Sequence, residues 1–218
     1  MQTRRSTLAV VAGALGALAL PVGRAVAAGA RDADAEKFLI SVANSTLQLL
    51  DDSKGAAADR AAKFAVAMDK YCDIPGVARF ALGRYRTRFD EKTYAEYSQT
   101  FRDYLLAAYQ GQLDRFRGET VTLIGSDVRK PGDVVVNTKV SQKRTGNEDL
   151  QVNWRVRKGA DGGWRIIDLS ALGVWLAIEQ QANFAAALDQ GNGKPEALIA
   201  YVRRSAADLR AGKVKKPG

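Results

Sequence analysis

Asp133-Val-Val-Val-Asn-Thr-Lys-Val-Ser141 and, nine residues on, Leu150-Gln-Val-Asn-Trp-Arg-Val-Arg157 decide how this chain is read. In the first, Val134, Val136, Thr138 and Val140 alternate with Val135, Asn137, Lys139 and Ser141. In the second, Leu150, Val152, Trp154 and Val156 alternate with Gln151, Asn153, Arg155 and Arg157. A period of two, with one apolar and one wetter side, describes antiparallel strands covered on one face only. Glu119 to Val128, with Val121 and Leu123 on one side, supplies a strand before them, and Trp164 to Leu172 one after. This last strand shows Trp164 and Ile166 to one side and Arg165, Ile167 and Leu169 to the other. Both its sides are largely apolar, so it is expected to be the most buried of the four. Lys130-Pro-Gly-Asp133, Arg144-Thr-Gly-Asn147 and Gly159-Ala-Asp-Gly-Gly163 carry turn chemistry between the strands.

On either side of the meander the period is helical. Ala33 to Leu50 carries Phe38, Val42, Leu47 and Leu50, and ends in Asp51-Asp-Ser-Lys-Gly55. A second helix spans about Ala56 to Tyr71. Ile74 to Leu82 reads as a short helix with Asp73 as N-cap, Pro75 in the first turn and Gly83 as C-cap. The longest pattern, Glu91 to Phe116, repeats Tyr94, Tyr97, Phe101, Tyr104, Leu105, Ala108, Tyr109, Leu113 and Phe116 mostly three and four apart. After the strands, Val174 to Asp189 and Pro195 to Arg210 are helical, separated by Gly191-Asn-Gly193. Helices, then a meander, then helices make an α+β domain whose sheet has one face to cover.

The first 27 residues read as an export signal: Arg4 and Arg5, an apolar run Leu8 to Leu20, Pro21, and Ala25-Val-Ala27 as a cleavage site. The run is shorter than the roughly 20 residues a membrane span needs. Thr3-Arg-Arg-Ser-Thr-Leu8 also approximates a twin-arginine signal, so the Sec and twin-arginine routes both stay open. The expected organisation is a signal peptide over 1–27, one domain over 28–212, and a disordered basic tail over 213–218. Cleavage removes three arginines and no acid, lowering the net charge from +9 to +6. For an exported chain this balance points to anionic membranes or acidic partners before nucleic acid. The sequence has no histidine and one cysteine, Cys72. This removes His-based triads, HExxH zinc sites, Cys-His nucleophiles and any intrachain disulfide. Between Tyr71 and Asp73, Cys72 is read as a packed small hydrophobe.

Cys72-Asp-Ile-Pro-Gly-Val-Ala-Arg-Phe-Ala-Leu-Gly-Arg-Tyr-Arg86 resembles the signature of the MlaC family of periplasmic phospholipid-transfer proteins. The matching positions are Asp73, Ile74, Ala78, Arg79, Leu82, Gly83, Tyr85 and Arg86. The resemblance extends to Phe101 and Tyr109, to Trp164-Arg-Ile-Ile-Asp168, to Gly173-Val174, and to Phe184 and Leu198-Ile199. Three positions depart from it: Tyr85 for a common Trp, Trp175 for a small polar residue, and Gln180-Gln-Ala-Asn183 where relatives carry an arginine.

The resemblance implies an NTF2-like, four-stranded antiparallel sheet with N- and C-terminal helices covering one face and enclosing an apolar cavity. It implies a soluble periplasmic carrier that shuttles phospholipid between an outer-membrane lipoprotein–porin complex and an inner-membrane ABC transporter with a lipid-binding ring. No cofactor, metal or nucleic acid enters that function, and the carrier is expected to be monomeric and not an enzyme. On the sheet, the cavity is expected to be lined by Val121, Leu123, Val136, Val152, Trp154 and Ile166, each on an apolar alternating face. From the helices, Phe80, Leu82, Phe101, Tyr104, Leu105, Tyr109 and Val174 complete it. Three other readings stay open. One is an enzyme on the same fold, comparable to ketosteroid isomerase, with Asp168 as base and Tyr104 or Tyr109 as donor. Another is a ligand-free adaptor. The third is a carrier of a polycyclic lipid such as a hopanoid, suggested by Trp175.

Overall fold

The computed structural model describes residues 30–51, 57–110, 117–143 and 146–213. The expected signal segment and its cleavage site, most of the Asp51–Gly55 turn, Leu113, Phe116, Arg144, Thr145 and the tail beyond Lys213 lie outside the described residues.

The elements are α1 (Ala33–Asp51), α2 (Ala57–Tyr71), α3 (Ile74–Ala81), a 3-10 helix (Gly83–Arg88) and α4 (Glu91–Gln110). Then come β1 (Val121–Lys130), β2 (Asp133–Val140), β3 (Leu150–Lys158), β4 (Trp164–Ala171), β5 (Val174–Trp175), α5 (Leu176–Gln190) and α6 (Pro195–Arg210). The strands form one antiparallel meander in sequence order.

The sheet has five strands where the alternation predicts four. Val174 and Trp175 pair back onto Ala171 and Ser170, so Val174 belongs to a strand and α5 begins only at Leu176. Leu172 and Gly173 form the two-residue turn, with φ of 53° and 80°. Positive φ at both positions is the primed hairpin geometry, which asks for Asn-Gly. Leucine there carries strain on the order of 1 kcal/mol.

A bulge changes the side-chain pattern of β4. Ile166 pairs with Val156 while Asp168 pairs with Arg155, leaving Ile167 as the extra residue. Leu169 consequently registers with Trp154 and shares its face, whereas strict alternation assigns it to the face of Ile167. Nor is β4 the most buried strand. In β2 every residue from Asp133 to Val136 is buried, as are Thr138 and Val140. The physical reason lies on its second face. Asp133 accepts hydrogen bonds from Arg155 Nε (2.9 Å) and Nη2 (2.8 Å) and from Arg157 Nη2 (3.2 Å). Those arginine stems cover the strand that alternation leaves open.

Helix α1 lies on the other face. Ala35 and Leu39 join Val134, Val136, Val156 and Trp164 in one apolar cluster. A polar lock fixes the start of this helix. Asp32 Oδ1 accepts the Ala35 amide (2.9 Å), and the Asp32 amide donates to Ser126 Oγ on β1 (2.9 Å). Ser126 Oγ donates to Glu36 Oε1 (2.7 Å), and Arg31 closes a two-point pair on Glu36 at 2.8 and 2.9 Å.

The second cluster is helical. Phe184 on α5 is its hub, with ring centroids 6.1 Å from Tyr97 and 5.9 Å from Phe101, both edge-on. Ile74, Ala78, Leu82, Leu188, Leu198, Ile199 and Val202 surround these rings. Arg203 on α6 pairs with Glu96 on α4, and Arg210 reaches the Asp103 carbonyl, so the two helices run parallel. At α3, Asp73 Oδ1 accepts the Gly76 amide (2.9 Å), the expected N-cap. A Cβ at Gly76 would sit 2.1 Å from Asp73 Oδ2, so this cap leaves no room for a side chain at position 76. Gly83, just past the cap of α3 and with φ of 50°, is the expected C-cap glycine, and the chain runs on from it as the 3-10 helix to Arg88.

Two predictions follow from these contacts. Leu172→Asn, matching the turn's positive φ, is expected to raise Tm by about 2–4 °C in a thermal melt, the shift that about 1 kcal/mol gives a chain of this size. The Arg31 hydrogen bonds hold the Glu36 carboxyl below its usual value of 4.5. A depressed folded-state pKa contributes stability above the unfolded pKa that is lost as pH falls through the folded one. Glu36→Gln is therefore expected to be destabilised by about 1–3 kcal/mol at pH 7. Urea titrations should show the gap from wild type narrowing below pH 4.5.

Candidate functional site

The sheet cluster and the helical cluster are separate cores, tied together where the start of α3 and the start of α5 meet β4. The Asp73 amide donates to the Ile166 carbonyl (3.0 Å), in a parallel bridge between Cys72 and Ile166. Two residues farther along β4, Asp168 Oδ1 accepts the amides of Leu169 (2.8 Å) and Ala177 (3.0 Å). Trp175, at the N-cap of α5, offers no side-chain acceptor. A carboxylate from the neighbouring strand takes that part, which ties α5 to the sheet.

The expected site residues divide between the cores. Val136 belongs to the sheet core and is buried, as is Val152. Leu123, Trp154 and Ile166 are half-buried at the margin of the sheet core, and Val121 is half-buried on β1. Trp154 Nε1 donates to Thr138 Oγ1 (3.0 Å), whose hydroxyl donates to the Val152 carbonyl (3.0 Å). The indole is thus held with its one polar atom satisfied. Leu82 and Phe101 are buried in the helical core, with Tyr104 and Leu105 half-buried against it. Tyr104 donates to Gln180 Oε1 at 3.1 Å. Tyr109 packs beside Ala107, Ala108, Ala206 and Leu209. Phe80 and Val174 are 47% and 46% exposed and belong to none of these clusters.

Alternation and helical spacing missed several residues at this junction. Met68 packs against the helical core beside Cys72, which takes the packed place its reading as a small hydrophobe expects, while Phe38 and Tyr71 meet edge-on at 6.3 Å between α1 and α2. Leu169 turns to the face of Trp154 through the bulge. A bulge in a single strand leaves no spacing signal. The aromatic pairing of α1 with α2 was available only as unassigned members of two stripes.

The thiol and the phenols near the junction are pushed away from the neutral range in which a proton donor or acceptor would serve. Burial is the largest influence on the Cys72 thiol, followed by the charges of Asp69 and Asp73, and it pushes the thiol up to about 12. Burial likewise raises the phenols of Tyr104 and Tyr109. The Asp168 carboxyl is raised by burial against the opposing pull of the Ala177 and Leu169 amides. Among the described residues, Asp168 makes no hydrogen bond to either tyrosine, and its Oδ1 is committed to backbone. No buried side-chain nitrogen or oxygen among the described residues lacks a partner.

An open antiparallel sheet flanked by helices, with two apolar cores and a polar crossing between them, defines a helix-on-sheet α+β protein. The MlaC protein family model matches residues 41–204, and the chain belongs to that family. A solved structure with this fold is the phospholipid-binding protein from Ralstonia solanacearum, determined in complex with a phospholipid at 1.53 Å. It shares 20% identity with this chain, aligns with a TM-score of 0.71, and is matched over 98% of its length and 80% of this one. No curated protein matches the chain significantly.

Burial and the neighbouring Asp69 and Asp73 charges keep Cys72 as the thiol at pH 8. The native protein is expected to react with a chromogenic disulfide reagent at least about a hundredfold more slowly than the urea-unfolded chain. Equal rates in the two states would contradict the placement of this side chain.

Proposed function

We propose that this protein is a carrier that takes the acyl chains of a phospholipid between its two cores and shuttles the lipid across the periplasm. The exchange runs between an outer-membrane lipoprotein–porin complex and an inner-membrane ABC transporter with a lipid-binding ring. The observation that carries the reading is family membership over residues 41–204. The phospholipid-bound structure of the Ralstonia solanacearum protein, with the same fold, supports it. The export signal read at the N-terminus supports a periplasmic location, and no described helix is long and apolar enough to cross a membrane.

The physical requirement on such a carrier is surface that is apolar and not fully closed by the protein's own packing. Leu123, Trp154, Ile166, Tyr104, Leu105 and Tyr109 are half-buried, and they stand at the margins of the two cores and of the small α4–α6 cluster. Burying roughly 28 methylenes at about 0.8 kcal/mol each is worth on the order of 20 kcal/mol relative to water. A bilayer already shelters those chains, so the exchange itself runs near balance. Specific polar contacts would upset that balance by holding the lipid too tightly, and the satisfied polar atoms of this region suit a ligand held by shape and dryness. Chemistry is not required of the residues, and we read the protein as a binder and not an enzyme. The commitment of Asp168 Oδ1 to the start of α5 supports a structural part for that carboxylate.

The test is organic extraction and mass spectrometry of lipid carried by the protein purified from the periplasm without detergent. Stoichiometric diacyl phospholipid is expected. Leu105→Gln and Leu123→Gln are expected to lose more than half of it while keeping wild-type far-UV circular dichroism. Folded variants with unchanged lipid content would overturn the assignment of the site. An empty wild-type protein that takes up no lipid from vesicles would overturn the function.

A further inference from the structure

A separate concavity of about 390 Å³ opens where the end of α3, the 3-10 helix and the first turn of α4 meet. This volume is enough for a small organic ligand. Leu82, Phe89 and Tyr94 give it an apolar lining, Arg79 and Arg86 supply two guanidiniums, and Asp90 and Glu91 supply two carboxylates. Opposite charges sharing a small pocket ordinarily pair, yet these do not. Elsewhere Arg84 finds Asp189, Arg102 finds Asp69 and Arg203 finds Glu96. Among the described residues, neither Arg79 nor Arg86 forms an ion pair, and Glu91 forms none.

The unpaired groups are nevertheless held in place. The Arg79 guanidinium lies 4.2 Å from the centroid of the Tyr94 ring. That ring is itself pinned, because the Tyr94 hydroxyl donates to the Pro75 carbonyl at 2.6 Å. Asp90 is committed as the cap of α4, its Oδ1 accepting the Thr93 amide at 2.7 Å. This leaves Glu91 as the free carboxylate. A cation fixed on an aromatic platform loses little freedom when it meets an anion. A guanidinium presents its donors in a fork that matches phosphate oxygens.

We propose that this pocket binds a small zwitterion of the phosphoethanolamine type, with its phosphate at Arg79 and Arg86 and its ammonium at Glu91. The carbon linker of such a ligand lies beside Tyr94, the half-exposed ring of the lining. The same chemistry is offered by a soluble phosphoethanolamine and by a lipid headgroup displayed on a membrane. The charged groups stand apart from the proposed acyl-chain site, because Arg79, Arg86 and Glu91 are exposed and lie outside both apolar cores, while Leu82, Phe89 and Tyr94 in the lining back onto the helical core.

Calorimetric titration of the protein with O-phosphoethanolamine, inorganic phosphate and ethanolamine at constant ionic strength tests this. Phosphoethanolamine is expected to bind at least about tenfold more tightly than either fragment, the return expected from one added charged hydrogen bond. Arg79→Gln with Arg86→Gln is expected to weaken it by at least about tenfold, and Glu91→Gln to abolish its preference over phosphate. Flotation with phosphatidylcholine vesicles, with and without phosphatidylethanolamine, distinguishes the sources. Capture by the ethanolamine-containing vesicles alone, lost in the double arginine variant, assigns the headgroup. Binding of the free compound without such capture assigns the soluble ligand. The proposal is overturned if neither probe binds, if phosphate binds as tightly as phosphoethanolamine, or if the double variant binds like wild type. Lipid extracted from the double variant is expected to equal that of wild type, so failure of the acyl-chain reading registers independently.

Discussion

The rest of this structure depends on keeping two apolar cores apart while holding them in one register. Hydrophobic burial alone would merge them, because it is non-directional and scales with the area removed from water. What prevents this is a polar crossing. The bridge of Cys72 and Asp73 to Ile166 is backbone hydrogen bonding, and the hold of Asp168 on α5 is a carboxylate on amides. Both interactions are directional, and both leave donors and acceptors with fixed partners that a closer approach of the cores would break. Asp73 does two jobs at this point: its amide secures the crossing and its carboxylate starts α3.

The division of labour between the cores follows from their chemistry. The sheet core is built of branched residues around Val134, Val136 and Val156, which are stiff and suit a pleated surface. The helical core is built around aromatic rings in edge-on contact, with Phe184 at the centre. Rings in that geometry fix the relative orientation of the helices that carry them more tightly than aliphatic packing alone. The charged second face of the sheet adds a further restraint, since a buried Asp133 with its arginines costs stability unless all of its hydrogen bonds are made. Each half is thus stiff for its own reason, and adaptability is left to the margins.

Much of this was legible in the amino-acid sequence. The strand alternation around Val134 and Val152, the Asp73 cap, and the helices opened by Glu91 and Pro195 all rest on local chemistry that neighbouring residues declare. The errors share one cause. β5 is a two-residue pairing made by a hairpin whose first turn residue is a leucine, a residue that does not announce positive φ. The burial of β2 depends on arginines two strands' pattern would leave in water, and the side of Leu169 depends on a bulge. These are settled by pairing partners, which a periodicity does not encode. The site divides similarly. Residues at the centres of stripes were placed in the cores, while Met68, Phe38 and Tyr71 enter through contacts between helices. Phe80 and Val174, selected by position in a motif, stand on the surface.

The parallel run of α4 and α6 constrains how this chain reaches its native state. Contacts such as Arg203 with Glu96 join residues 107 positions apart, with the entire sheet and α5 lying between them in sequence. Leu198, Ile199 and Val202 are made after the sheet and α5, yet they complete the core around Phe184. A helical core closed by α6 across so long a sequence separation gains part of its stability late. Until α6 is present, the rings of α4 and α5 remain open to water and to any apolar surface nearby. The chain therefore passes through a form in which those rings are exposed, and α6 is the element that closes them off.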